Sequence, residues 1–383
     1  MKRKLIAAAT AFALVFLAAC GTSPAPETSA SAEDTKPASV SETPESEGST
    51  LPQSAPSSTA APETSVSDTR ETESEATSES EAETQAPEAD LSPYVFSFDP
   101  YSLSSEYREL YGEEFVSAYR GLADAFINYE TSCPCPSEEV FTALLGCVDS
   151  CMPYFASDAV LTYDAFDPDT KTLTIHYRSS TKEAHDSAYA AFVAAVERYF
   201  EQGLYEGDSD LIKAISIYRN FSAAISYDLR VEDVSAYGAL MTRVGIAHSF
   251  AHSYAYLLRQ AGIEANTCGG LSADGSAAHE WVVMKLGGTW FYADPTYENG
   301  ETGGLGLSYF GTNNAERREA GYDPTYFGVG TTGRVWANSL EVEGNHFDFL
   351  RGSTSFVIDR TAKTLILSNA VSVDYTELPG GVR

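Results

Sequence analysis

The chain has 383 residues and a formal net charge of −31 at pH 7, with 24 Lys and Arg against 55 Asp and Glu. Binding to phosphate backbones depends on Lys and Arg releasing counterions, so this acidity excludes nucleic acid as a partner. No Phe, Trp or Tyr occurs between Phe16 and Tyr94, which confines any hydrophobic core to the remainder of the chain.

The first residues read as a secretion signal: Lys2, Arg3 and Lys4 precede an apolar run from Leu5 to Phe16 that is too short to span a bilayer. Leu17-Ala18-Ala19-Cys20 then resembles the lipobox of bacterial lipoproteins. That resemblance implies that Cys20 is lipidated and anchors the protein at the membrane, exposed on the extracytoplasmic cell surface. Residues 21–92 are Ser, Thr, Glu, Pro and Ala with 16 acids against Lys36 and Arg70. Such a segment cannot bury enough apolar surface to offset the entropy of ordering, and it reads as a disordered tether reaching roughly 50 Å.

In the folded part, Phe115, Val116, Tyr119, Leu122, Phe126 and Ile127 recur at helical spacing between Glu113 and Tyr129. Ser137 is placed to cap a second helix, with Glu138 and Glu139 in its first turn. Cys133, Cys135, Cys147 and Cys151 lie within nineteen residues, and in an exported protein they most simply form one or two local disulfides. Buried free thiols or a metal site are the alternatives. Val160–Phe166 and Thr172–Tyr177 read as a hairpin around Asp167-Pro168-Asp169. Helices are expected near 181–202 and 208–226, and a buried one from Tyr237 to Ala261.

Strands are expected at 263–267, 281–286, 289–293, 347–350, 355–359 and 364–367. The Gly287-Gly288 pair between two of them is a tight-hairpin signal. Counting outward from it, Leu286 faces Thr289, Trp281 faces Asp294 and His279 faces Thr296. His279 and Asp294 then become diagonal neighbours on one side of the sheet, within reach for a carboxylate to hold an imidazole. The fold class is α+β, with a helical N-terminal part and a central buried helix packed on an antiparallel sheet.

Gly245-Ile246-Ala247-His248-Ser249-Phe250-Ala251, Leu257-Leu258 with Ala261-Gly262-Ile263, His279-Glu280-Trp281 and Ala293-Asp294-Pro295-Thr296 together resemble the transglutaminase-like core, a papain-like fold with a Cys-His-Asp site. The resemblance implies that position 247 holds the nucleophile, that His279 and Asp294 complete the catalytic set, and that Trp281 and His248 meet substrate. Position 247 is alanine, and a methyl group cannot attack a carbonyl. Ser249, Cys268, or a metal held by His248 and His252 with His279 or Asp294 are the substitutes to weigh; no metal or cofactor is assigned.

The boundaries that follow are 1–20 for the signal with its lipobox, 21–92 for the tether, 93–205 for a helical region with a β-hairpin belonging to the folded unit, and 206–383 for the transglutaminase-like domain with C-terminal strands. The expected function is that of a lipoprotein whose domain is inactive as a thiol enzyme and binds a peptide, a protein or cell-wall material. The rivals are a hydrolase, amidase, protease or transglutaminase-like enzyme using a shifted nucleophile or metal, and a structural surface spacer.

Overall fold

A computed structural model describes residues 89–272, 274–323 and 340–382. The expectations for the signal, for Cys20 and for the tether as far as residue 88 lie outside the described residues. Helix α1 (Ser105–Asn128) is interrupted at Gly112, whose φ of 69° is not helical, and the amphipathic stretch from Glu113 forms its second part. After β1 (Ser132–Pro134), Ser137 starts α2 (Glu138–Cys151) by accepting the Val140 N–H at 3.3 Å, which satisfies one of the free donors of the first turn. The short strands β2 (Ala159–Val160), β3 (Phe166–Asp167), β4 (Thr172–Thr174) and β5 (His176–Tyr177) follow. The expected hairpin is kept in part: β3 pairs with β4 and β2 with β5, while β1 adds to the free side of β4.

Helices α3 (Lys182–Glu197) and α4 (Asp210–Ala224) are capped by Thr181 and Ser209. The single helix expected from Tyr237 to Ala261 is two. After β6 (Ser226–Tyr227), α5 (Ala236–Thr242) stops at Arg243, which takes the left-handed conformation with φ 60°. Strand β7 (Val244–Gly245) then pairs in parallel with β6, and α6 (Ala247–Gln260) begins. A left-handed residue other than Gly leaves the apolar periodicity intact on both sides, so the break does not show in the pattern. Gly245 fits because a Cβ there would meet the Ser249 side chain at 2.7 Å. From Ser249 to Gln260 every residue of α6 is buried.

The main sheet consists of β8 (Ala265–Ser272), β9 (Ala278–Leu286), β10 (Thr289–Ala293), β11 (Phe310–Thr312) and β12 (Tyr322–Asp323), in the antiparallel order β11-β10-β9-β8-β12. Helix α7 (Pro295–Thr302) follows β10, and α8 (Asn314–Glu319) lies between β11 and β12. Leu286 pairs with Thr289 and Val282 with Ala293, the register that Gly287 and Gly288 set with φ of 55° and 84°. Alternation gives the sheet two faces. Val282, Met284, Phe291 and Ala293 join the core that contains Phe250, Ala251 and Tyr254 of α6, whereas Trp281, Val283 and Tyr292 cluster with Cys268 and Val342. That larger core also takes in Tyr107, Phe126 and Leu144, so the N-terminal helices and the sheet share one interior.

At the C-terminal end β13 (Phe356–Asp359), β14 (Thr364–Leu367) and β15 (Ser372–Asp374) form a separate antiparallel sheet. The strand expected at 347–350 is instead a 3₁₀ turn, Asp348–Leu350, with the buried Phe347 packed on Phe291 and Phe310. The disulfides expected among Cys133, Cys135, Cys147 and Cys151 are absent: all four are buried free thiols, as is Cys268. Cys147 and Cys151 sit one turn apart on α2 among core side chains, and the Cys135 and Cys147 thiols donate to Ser137 O and Leu144 O.

The two hairpin glycines differ in surroundings. A Cβ on Gly287 would meet Gly380 N at 2.6 Å, while one on Gly288 would meet nothing within 4 Å. Gly288→Ala should therefore cost only the strain of positive φ, about 1–2 kcal/mol, and Gly287→Ala about 1–3 kcal/mol more from displaced backbone. Urea unfolding of the two variants measures the difference; equal losses would show that the C-terminal segment does not pack on this turn.

Candidate active site

Strand β9 places His279 and Trp281 on one side and Glu280 on the other, and each side builds its own polar arrangement. On the first side, His279 Nε2 donates to Asp294 Oδ2 at 2.7 Å, and Arg317 Nη1 from α8 donates to the same oxygen at 2.9 Å. The other oxygen, Oδ1, accepts the Thr296 and Tyr297 N–H groups at the start of α7. Burial pushes the Asp294 carboxyl up, but the charges of His279 and Arg317 and the surrounding hydrogen bonds outweigh it and hold the group at about 2. The His279 ring stacks on Tyr297 with centroids 4.6 Å apart and lies 5.3 Å from Tyr322. The Arg317 guanidinium lies 4.4 Å over Trp281 and 5.5 Å from Tyr297, a desolvated cation on two aromatic faces.

On the other side, the first two turns of α6 meet β9 and α2. His248 Nδ1 donates to Glu280 Oε2 at 2.7 Å and Nε2 to Asp149 Oδ2 at 3.0 Å. His252, one turn on, lies with Nδ1 3.0 Å from the same Asp149 oxygen and Nε2 3.7 Å from Glu280 Oε2. The two imidazole rings are 3.9 Å apart between centroids. Asp149 is held by its other oxygen, which accepts the Ala236 N–H at 3.0 Å. Burial opposes charge throughout this group. The carboxylates nevertheless push the His248 imidazole well above its usual range, and the two imidazoles hold Asp149 below the usual carboxylate range.

Ala247 is the first residue of α6 and is 3 % exposed. Glu280 is the β9 side chain that meets the first turn of this helix, through His248. Trp281, expected to meet a ligand, is fully buried between Arg317 and Tyr292. Ser249 spends its hydroxyl on the helix start, donating to Val234 O at 2.6 Å and accepting the Ile246 N–H at 3.3 Å. Burial pushes the Cys268 thiol up to about 12, the reverse of what a nucleophilic thiol needs. The histidines of α6 take their carboxylates from Asp149 and Glu280 rather than from Asp294. Arg317 and Asp149 gave no sign in the sequence, since each joins its partner only through the tertiary fold; Glu280 was accessible by alternation alone, as the neighbour of His279.

Residues 177–295, which include positions 247, 279 and 294, match the family model described as the transglutaminase-like superfamily. No curated protein matches. Among solved structures, a proposed cysteine protease from Cytophaga hutchinsonii is 20 % identical over 28 % of this chain and 37 % of its own, with a TM-score of 0.23. A TGase is 12 % identical over 42 % and 48 %, with a TM-score of 0.24. The periplasmic domain of TgpA from Pseudomonas aeruginosa, bound to ethylmercury, is 20 % identical over 37 % and 63 %, with a TM-score of 0.22. The chain thus spans less than two thirds of the length of each of these proteins. Residues 177–295 form a transglutaminase-like core within a mixed fold of helices and sheet.

Proposed function

We propose that this chain is a lipoprotein anchored through Cys20 and carried on its acidic tether at the cell surface, whose transglutaminase-like domain binds peptide or cell-wall material without thiol catalysis. The observation that carries the loss of catalysis is the buried methyl group of Ala247 at the start of α6. The dyad of His279 and Asp294 supports it from the other side, because its hydrogen bonds run to Arg317 and the α7 N-terminus and its ring faces run to Tyr297 and Tyr322. A second reading, a structural spacer, is favoured by the burial of His279 and Trp281, which are 5 % and 0 % exposed.

Full-length protein assayed for amidase, protease and amine-transfer activity should show no turnover, and Ala247→Cys should gain none, because position 247 is buried and Glu280 is the β9 side chain that meets the first turn of α6. Wild-type turnover that disappears in His279→Ala would overturn the proposal. Sedimentation with purified cell-wall sacculi separates the two readings: retention supports binding, and its absence at every wall concentration favours the spacer.

In either case the buried ion pair is structural. Asp294→Asn leaves Arg317 without a counter-charge and should cost about 3–5 kcal/mol in denaturant unfolding. The depressed carboxyl of Asp294 stabilises the fold above its unfolded value near 3.8 and loses that contribution as pH falls toward about 2. The difference between wild type and Asp294→Asn should therefore shrink by about 2 kcal/mol between roughly pH 5 and pH 2. A pH-independent difference would show that the carboxyl is not held in this way.

A further inference from the structure

The second polar group, between α2, α6 and β9, has the composition and arrangement of a metal site. Three residues converge: Asp149, His248 and His252 each offer one ligand atom within 4.8 Å of the others, and Asp149 Oδ2 is 3.0 Å from His248 Nε2 and from His252 Nδ1. Donors around one zinc ion, each about 2.0–2.2 Å from it, stand roughly 3–3.5 Å apart, so small side-chain shifts complete the set. The atoms behind the donors are already fixed. Glu280 accepts from His248 Nδ1 at 2.7 Å, which leaves Nε2 facing inward, and the Ala236 N–H holds the outer oxygen of Asp149. A carboxylate behind a ligating imidazole is the usual means of setting its tautomer and strengthening its donor nitrogen.

A separate observation points to a missing ligand. His252 Nδ1 is buried and makes no hydrogen bond, although the residue is only 9 % exposed and the nitrogen lies beside the Asp149 carboxylate. It lies 3.0 Å from Asp149 Oδ2 without hydrogen-bond alignment, and a buried polar atom that is poorly paired is costly. A cation there would use that nitrogen. Access exists, because the Asp149 and His248 side chains are 32 % and 29 % exposed and a cavity of about 270 Å³ beside Asp149 is walled by Leu145, Val148 and Arg178.

We propose that Asp149, His248 and His252 bind a divalent first-row transition ion, Zn²⁺ by their donor set, with Glu280 holding His248 from behind. Two imidazoles and one carboxylate leave at least one coordination position for solvent or a ligand atom, which suits borderline ions and not the oxygen-rich cages of Ca²⁺ or Mg²⁺. The site does not depend on the loss of the thiol at position 247 and stands apart from His279 and Asp294 across the sheet.

The test is a titration of chelator-stripped full-length protein with Zn²⁺ in competition with a chromophoric chelator. One equivalent should bind. The affinity should fall more than about a hundredfold in His252→Gln and in Asp149→Asn, and by about 10–100-fold in Glu280→Gln. Circular dichroism shows whether each variant is folded, and Asp149→Asn, at a partly exposed position, serves if His252→Gln is not. Co²⁺ substitution should give ligand-field bands without thiolate-to-metal charge transfer. Absence of one-to-one binding, unchanged affinity in the folded variants, or a thiolate band that assigns the ion to the buried cysteines would each overturn the proposal.

Discussion

Two adjacent residues of one strand, His279 and Glu280, must point to opposite faces of the sheet, and neither can be buried without a partner. Both faces are covered, so the fold has to supply counter-groups twice. On one face Asp294 and Arg317 answer His279; on the other, His248, His252 and Asp149 answer Glu280. The positions of α8, of the α7 N-terminus and of the first turns of α6 are all tied to this alternation. A slip of one residue in the register of β9 would present Glu280 to Asp294 and Arg317, and His279 to the helix histidines.

The same constraint explains why His279 and Asp294 are held in place although position 247 is alanine. Asp294 balances the charge of Arg317, caps α7 and accepts from His279, and each of these roles is independent of a thiol. The start of α6 is equally occupied with structure: the left-handed Arg243, the crowded Gly245 and the Ser249 hydroxyl together fix where the helix begins. That geometry would favour an anionic sulfur at the first residue. A methyl group draws nothing from it.

How much of this can be read from the residues depends on how local the cause is. The hairpin register follows from two glycines and simple counting, and the pairing of His279 with Asp294 follows from the register. The caps of α2, α3 and α4 are equally local, each a Ser or Thr ahead of an apolar run. What lies beyond reach is set by tertiary contact: Asp149 meets His248 across 99 positions and Arg317 meets Asp294 across 23. The break at Arg243 is hidden for another reason, since the apolar rhythm continues through it. Trp281 shows the limit of inference by position, because a residue that could line a cleft is here sealed by a cation from a helix downstream.

The five buried thiols carry a consequence for how the protein fails. Cys133, Cys135, Cys147, Cys151 and Cys268 are all shielded from solvent, and burial pushes Cys133 and Cys268 up to about 12. Oxidation proceeds through the thiolate, so while the chain is folded these sulfurs are chemically quiet. Unfolding removes the shield from all five together, and in an oxidising medium the freed thiols can pair in combinations that the native packing never uses. Loss of structure then becomes a one-way event, and the working lifetime of the domain is set by how slowly it opens rather than by the depth of its equilibrium stability.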